Sequence, residues 1–276
     1  MFSLNCKGRL FTYETPIVMG IVNVTHDSFY EGSRRPGVEQ ASEQAIRMLN
    51  EGAAIIDVGG QSTRPGAELL SPNQEMDRVL PVVQYILQQH PDALLSVDTF
   101  YSSVAKAAVE AGASIINDIS SGEMDEEMIS TVARAGVPYI AMHMKGTPAT
   151  MQSLAQYNDV TVEVLDYFVQ KVDALHRAGI HDVIIDPGFG FAKTPQHNLK
   201  LLRELTALAI VGKPILAGLS RKSTVYKTLG LTPEQALNGT TVLNTIALLN
   251  GASILRVHDV KEALEAVKLT QALKLA

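Results

Sequence analysis

From residue 17 onward, short unbroken apolar runs alternate with longer stretches in which apolar residues recur at helical spacing. The short runs are Ile17–Val22, Ala54–Ile56, the LLSV before Asp98, Ser114–Ile116, Val137–Met142, Val183–Ile185, Pro214–Ala217 and Ser253–Leu255. Runs of this length, rich in β-branched residues, fit strands buried on both faces. Between them, Met76, Val79, Leu80, Val83, Ile86 and Leu87 share one helical face, as do Val160, Val164, Phe168, Val172 and Leu175. Further helices are expected over 38–51, 101–111, 125–134, 196–206 and 260–273, with helical segments leading up to Asn250. Residues 2–14 read as a hairpin: FSL, the turn NCKG, then RLFTYE.

A recurring order punctuates the chain. A glycine closes a helix, an apolar strand follows, and a polar residue ends it: Gly52 to Asp57, Gly112 to Asn117, Gly179 to Asp186, Gly251 to Arg256. Eight strand–helix units in about 250 residues, with no linker between them, match an α/β TIM (β/α)8 barrel. The expectation is a single barrel domain over 1–276, with the N-terminal β-hairpin in 1–15. An open doubly wound sheet fits less well, because no GxGxxG follows the first strand. Strand C-termini converge on one mouth of a barrel. Asn23, Asp57, Asp98, Asn117, His143, Asp186, Arg256 and His258 are therefore expected around one site.

Composition narrows the class. Hydrophobic content of 46% and charged content of 19% are those of an ordinary globular protein. A net charge of −6 argues against a general nucleic-acid binder, so an anionic ligand needs local cations. Cys6 is the sole cysteine, which excludes an intrachain disulfide and a thiolate metal cluster and fits a cytoplasmic setting. Lys7 and Arg9 interrupt the first apolar stretch, which is not expected to act as a signal peptide. No apolar run approaches the ~20 residues that span a membrane.

The chemistry-bearing residues fall into three groups. Asp98, Asn117 and Asp186 offer hydrogen-bond acceptors and one amide donor inside an apolar barrel, which suits a flat heterocycle with adjacent N–H groups, such as a 2-amino-4-oxopyrimidine edge. Met142, Phe191 and the stem of Lys222 can cover the faces of such a ring; the plainer reading of Met142 and Phe191 is core packing. Arg64, Arg256, His258 and the backbone of Ser62–Thr63 make an anion site for phosphate, with Asp57 orienting them from behind. In GLSRKS, Lys222 between Ser220 and Ser223 can hold ring polar atoms or a carboxylate; the plainer reading is a helix start with a solvated basic pair. The metal these residues suit is Mg2+, held through oxygen, mainly that of Asn23, together with phosphates and water.

The motifs NVTHDSF (23–29), GGQSTRPGA (59–67), SVDT (96–99), IINDI (115–119), HMKGTPATMQ (143–152), DPGFGFAKT (186–194), LSRKS (219–223) and RVHDV (256–260) resemble, in order and over nearly the whole chain, the dihydropteroate synthase family. The resemblance implies a TIM barrel that joins 4-aminobenzoate to 6-hydroxymethyl-7,8-dihydropterin diphosphate, releasing diphosphate and forming 7,8-dihydropteroate for folate synthesis. It further implies pterin contacts from Asp98, Asn117, Asp186 and Lys222, Mg2+ on Asn23, and diphosphate on Thr63, Arg64, Arg256 and His258. Ser223, Phe29 and Pro65 would shape the aminobenzoate site, where sulfonamides compete. A cytoplasmic homodimer is the family expectation. Several positions depart from the family's commonest pattern: His26 for proline, Glu31–Gly32–Ser33 for Asp–Gly–Gly, Gln61 for glutamate and Ala192 for glycine. Two other readings are a pterin-dependent methyltransferase, which has no diphosphate for STRPG and SRKS to hold, and a non-catalytic pterin-binding paralogue.

Overall fold

The computed structural model of the chain describes residues 1–24, 35–61 and 69–276. The chain begins with the expected hairpin, β1 (Phe2–Cys6) against β2 (Arg9–Tyr13), antiparallel with Cys6 opposite Arg9. Lys7 and Gly8 turn it with φ of 51° and 86°, the paired left-handed conformation whose twist matches that of a hairpin.

Eight parallel strands follow: β3 (Ile17–Asn23), β4 (Ile55–Gly59), β5 (Leu95–Asp98), β6 (Ile115–Asp118), β7 (Tyr139–Met142), β8 (Val183–Asp186), β9 (Leu216–Ala217) and β10 (Ile254–Val257). Each pairs with its neighbour in sequence, and β10 returns to β3 with Ile254 opposite Ile17. The ring closes between β8 and β9 through the Ile185–Ile215 bridge, where the Ile185 N–H donates to Pro214 O at 3.0 Å. The structure is the TIM barrel expected from the alternation.

Around the strands lie α1 (Arg35–Glu51), α2 (Pro72–Gln89), α3 (Ser102–Glu110), α4 (Met128–Ala135), α5 (Val160–Arg177), α6 (Pro195–Arg203), α7 (Ser223–Leu229), α8 (Leu237–Leu249) and α9 (Val260–Leu275). Their starts are written locally. Ser71 and Gln74 form a capping box on α2, with Pro72 in its first turn, and Asp159 accepts from the N–H groups of Thr161 and Val162 at the start of α5. The face of α5 predicted from spacing, Val160 to Leu175, is buried.

Strand alternation then sorts the barrel lining into floors. Leu4 and Cys6 of the hairpin plug the N-terminal end and pack with Ile17, Met19, Ile55, Ile115, Ile140, Ile184, Leu216 and Ile254. Residues of the opposite parity, such as Val18, Ile56, Ile116, Ile185 and Leu255, pack outward under the helices. Two residues above the apolar floor, on the same inward face, stand Asp57, Asn117, Met142, Asp186, Gly218 and Arg256.

Several expected boundaries shift. β4 runs past Asp57 to Gly59, because Gly59 still pairs with Asp98, so Asp57 is a mid-strand residue rather than a terminal one. β9 shrinks to two residues, since Pro214 has no N–H for a ladder. The helix expected to reach 206 ends at Arg203 and continues as a 3-10 segment over Leu205–Val211.

Candidate active site

The site is built at the C-terminal ends of the strands, on the layer above the apolar floor. Asp57, with none of its surface exposed, is its hub: Oδ2 accepts from Asn117 Nδ2 at 2.9 Å and from Arg256 Nε at 2.6 Å. The other arm of Arg256 donates to Asp98 Oδ2 at 2.6 Å. A guanidinium is thus held between two carboxylates at the centre of the mouth. Burial pulls its pKa down, but Asp57 and Asp98 outweigh that and hold it above the ordinary arginine value. Burial pushes Asp98 upward, with Asp57 and Asp118 adding to the effect and Arg256 opposing it.

Across the mouth, Asp186 closes β8. Its Oδ1 accepts from the Gly188 N–H at 2.8 Å, which leaves Oδ2 toward Gly218, and the Lys222 ammonium acts on this carboxylate electrostatically. Lys222 donates to Phe189 O, and its Nζ lies 4.9 Å from the centre of the Phe191 ring. Burial drives this ammonium down to about 8, and Asp186 pulls the other way. Phe191 and Met142 belong to an apolar cluster at the rim with Phe100, Ile119, Met144, Met151 and Ala192. Both are buried core residues, as the plainer reading expected.

His258 follows β10. The hydroxyl of Ser220 accepts from the His258 N–H at 3.2 Å and lies 3.1 Å from Nδ1. Donating to Nδ1, it leaves the proton on Nε2. Burial, then Arg256, lowers the imidazole to about 4, so at neutral pH the ring is neutral and adds no charge to a cationic cluster. Ser223 is the first residue of α7, directly after Lys222. The basic pair of SRKS is not solvated: Arg221, at φ 53°, pairs with Asp259 through Nε at 2.9 Å and Nη2 at 2.8 Å and donates to the carbonyls of Pro233 and Glu234. It fixes the loop that presents Lys222.

Asn23 stands at the rim, exposed and opposite Gly59. Among the described residues no cluster of three His, Cys, Asp or Glu side chains makes a metal cage. A lone carboxamide oxygen fits Mg2+, which binds through few protein oxygens and completes its shell with phosphates and water. The expected contacts from Phe29, Thr63, Arg64 and Pro65, and the departures at His26, Glu31 and Ser33, lie outside the described residues. Gln61 is described: its Oε1 accepts from the Leu70 N–H at 3.1 Å.

One expected member leaves the ring. His143 follows inward-facing Met142 and so points away from the mouth, where Lys193 Nζ meets its Nδ1 at 2.9 Å. Lys193 carried no signal in the sequence beyond its place in DPGFGFAK. It is almost fully buried and also donates to the carbonyls of His143, Gly188 and Phe191 at 3.3, 3.2 and 3.2 Å. Burial lowers its ammonium to about 7, and burial with Lys193 lowers His143 to about 2. Together they lace the loop after β8 to the end of β7. Gly188 makes that approach possible: at φ 71° a Cβ there would collide with His143 O.

Residues 19–258 match the model of the family described as pterin binding enzyme. Dihydropteroate synthase of Escherichia coli K12 is 42% identical over 98% of this chain and 95% of its own length. The dihydropteroate synthase of Xanthomonas albilineans, solved with 4-aminobenzoic acid, superposes with a TM-score of 0.92 at 41% identity, covering 99% of this chain and 98% of that one. The Yersinia pestis enzyme, solved with a sulfonamide drug, gives 0.93 at 41% identity over all of both chains. With a barrel of this topology and this row of acceptors at its mouth, the chain belongs to the dihydropteroate synthase family of pterin-binding enzymes.

Proposed function

We propose that this chain, acting as one catalytic unit, condenses 6-hydroxymethyl-7,8-dihydropterin diphosphate with 4-aminobenzoate to give 7,8-dihydropteroate and diphosphate. The observation that carries the reading is the acceptor row of Asp98, Asn117 and Asp186 between Arg256 and Lys222, with Asn117 and Asp186 two residues above a sealed apolar floor and Asp98 paired beside Asn117. Such a row takes the N–H edge of a pterin, each charge-assisted bond contributing on the order of 1.5–3 kcal/mol. Phe191 and Met142 cover the ring and keep water away from it.

In the reaction the bond between the pterin methylene carbon and the bridging oxygen breaks, and diphosphate leaves with the electron pair. The ring stabilises the resulting cation. The neutral arylamine nitrogen attacks the carbon, forms the new C–N bond and then sheds a proton. Arg256 and the Nε2–H of His258, joined by Thr63 and Arg64, stabilise the charge growing on the departing diphosphate. Asn23 would hold Mg2+, which supplies further charge neutralisation when bound. Lys222 holds ring polar atoms, while Ser223, Phe29 and Pro65 shape the aminobenzoate subsite on which a sulfonamide would compete. No side chain need form a covalent intermediate.

We further propose a homodimer. Val242, Ile246 and Leu249 on α8 and Leu269 and Leu273 on α9 are apolar and exposed on neighbouring helices. A second copy is the occupant that would cover them, and sedimentation at micromolar concentration tests it. Among the described residues no helix is long and apolar enough to cross a membrane; we place the reaction in the cytoplasm, where the Cys6 thiol stays reduced. Mixing the protein with both substrates and Mg2+ should release diphosphate and 7,8-dihydropteroate in equal amounts. Pterin binding without diphosphate release would mark a non-catalytic paralogue instead.

A further inference from the structure

We propose that Asp57 is the positioning residue that sets which end of the Asn117 amide faces the pterin, and so makes the site read donors rather than acceptors on the ring. The proposal rests on the dihydropteroate reading above. Asp57 is fully buried on β4, and its side-chain hydrogen bonds among the described residues run to site groups alone, Asn117 Nδ2 at 2.9 Å and Arg256 Nε at 2.6 Å, both on Oδ2. Oδ1 has no partner among the described residues. A carboxylate at full burial is costly, and a hydrophobe would fill a purely structural position better. What this one provides is a surface that only accepts.

Facing a group that only accepts, Asn117 must turn its NH2 toward Asp57, and its carbonyl oxygen is left for a ligand N–H. Arg256 imposes the same logic from the other side, since a guanidinium only donates. Asp57→Val nearly keeps the volume but removes the acceptor. The Asn117 amide is then free to turn over and set its NH2 against the ring, a donor against a donor. Asp57→Asn is the conservative variant. Both partners bond the one oxygen Oδ2, so an amide oxygen in that place still accepts from Asn117 and from Arg256, and its NH2 takes the unpartnered Oδ1 position.

The test is calorimetry with pterin and with lumazine, which carries oxygen in place of the 2-amino group, backed by thermal denaturation. Asp57→Val should weaken pterin by about tenfold or more and reduce the preference for pterin over lumazine, a ratio that a general loss of packing would leave unchanged. Asp57→Asn should keep most of both. Pterin affinity and preference unchanged in Asp57→Val would overturn the proposal. So would an Asp57→Asn variant that melts like the original protein yet binds pterin no better than Asp57→Val. If Asp57→Val fails to fold, Asp57→Ala, which also removes the acceptor, takes its place, and an unchanged ratio is again fatal. Failure of the original protein to bind pterin at all would strike the dihydropteroate reading itself, and is distinguishable because no substitution is involved.

Discussion

At the scale of single residues, hydrogen-bond polarity decides what this mouth can hold. Asp186 gives one oxygen to the Gly188 N–H. In Asp186→Asn that N–H keeps the amide oxygen, so the NH2 faces the ring and the electrostatic partner of Lys222 is lost. Pterin affinity should fall by about tenfold or more, as read by calorimetry on a variant with an unchanged melting temperature. Glu75, on the first turn of α2, is a different case. It is wholly buried, and neither of its carboxylate oxygens has a partner in hydrogen-bonding geometry among the described residues. Burial pushes it up to about 8 from 4.5, with a smaller push from Asp98 and a pull downward from the Thr99 hydroxyl. Between those two values the folded chain holds more protons than the unfolded one, so this contribution to stability is complete below 4.5 and is lost as pH rises through 8. Glu75→Gln should therefore leave stability near pH 4.5 almost unchanged and raise it at pH 8 by on the order of 2–4 kcal/mol in denaturant titrations. Nothing in the sequence distinguishes Glu75 from other acids in a helix's first turn, because burial from α2 packing on β4 is a tertiary fact.

At the scale of elements, the loop between β8 and α6 is the best-organised part of the site. Lys193 reaches four acceptors on two strands' loops, and the same loop supplies the Phe191 face, the Phe189 carbonyl under Lys222 and the Gly188 N–H on Asp186. Lys193→Met keeps an unbranched chain of similar reach but strands the carbonyls of His143 and Phe191, each unsatisfied group costing about 1–3 kcal/mol, while the Gly188 carbonyl keeps the Phe191 N–H. The melting temperature should drop, and the Michaelis constant for the pterin substrate should rise more than that for aminobenzoate. Equal changes in both constants would mean the loop supports the fold without shaping the pterin wall. The glycines and the strand-ending Asp186 of this loop were legible in the sequence, because turn chemistry and alternation are local properties. The lysine's role was not, because His143, which it ties to this loop, lies fifty residues away, just past β7. Alternation also explains both placements that moved: Asp57 lies a level below the end of its longer strand, and His143 takes the outward parity next to Met142.

At the scale of the whole molecule, the eight repeats made the barrel and the common mouth readable, since each unit had to bury the same kind of strand. How the ring closes was not readable. β9 contributes two residues, and its contact with β8 is a single bridge, to which Pro214 contributes a carbonyl but no N–H. On every other side the neighbouring strands share a longer ladder. The cylinder therefore has a seam, and amide hydrogen exchange should find it. Local opening free energy follows local pairing, so the Ile185 amide is expected to exchange earlier than those of β4 and β5. The two lips of that seam carry Asp186 on one side and, just past β9, Lys222 on the other. A pterin that bonds to both would stitch the lips together across the gap. Exchange at Ile185 should slow when pterin is added while exchange in β4 hardly changes, which makes the rate at this one amide a report of occupancy that needs no turnover.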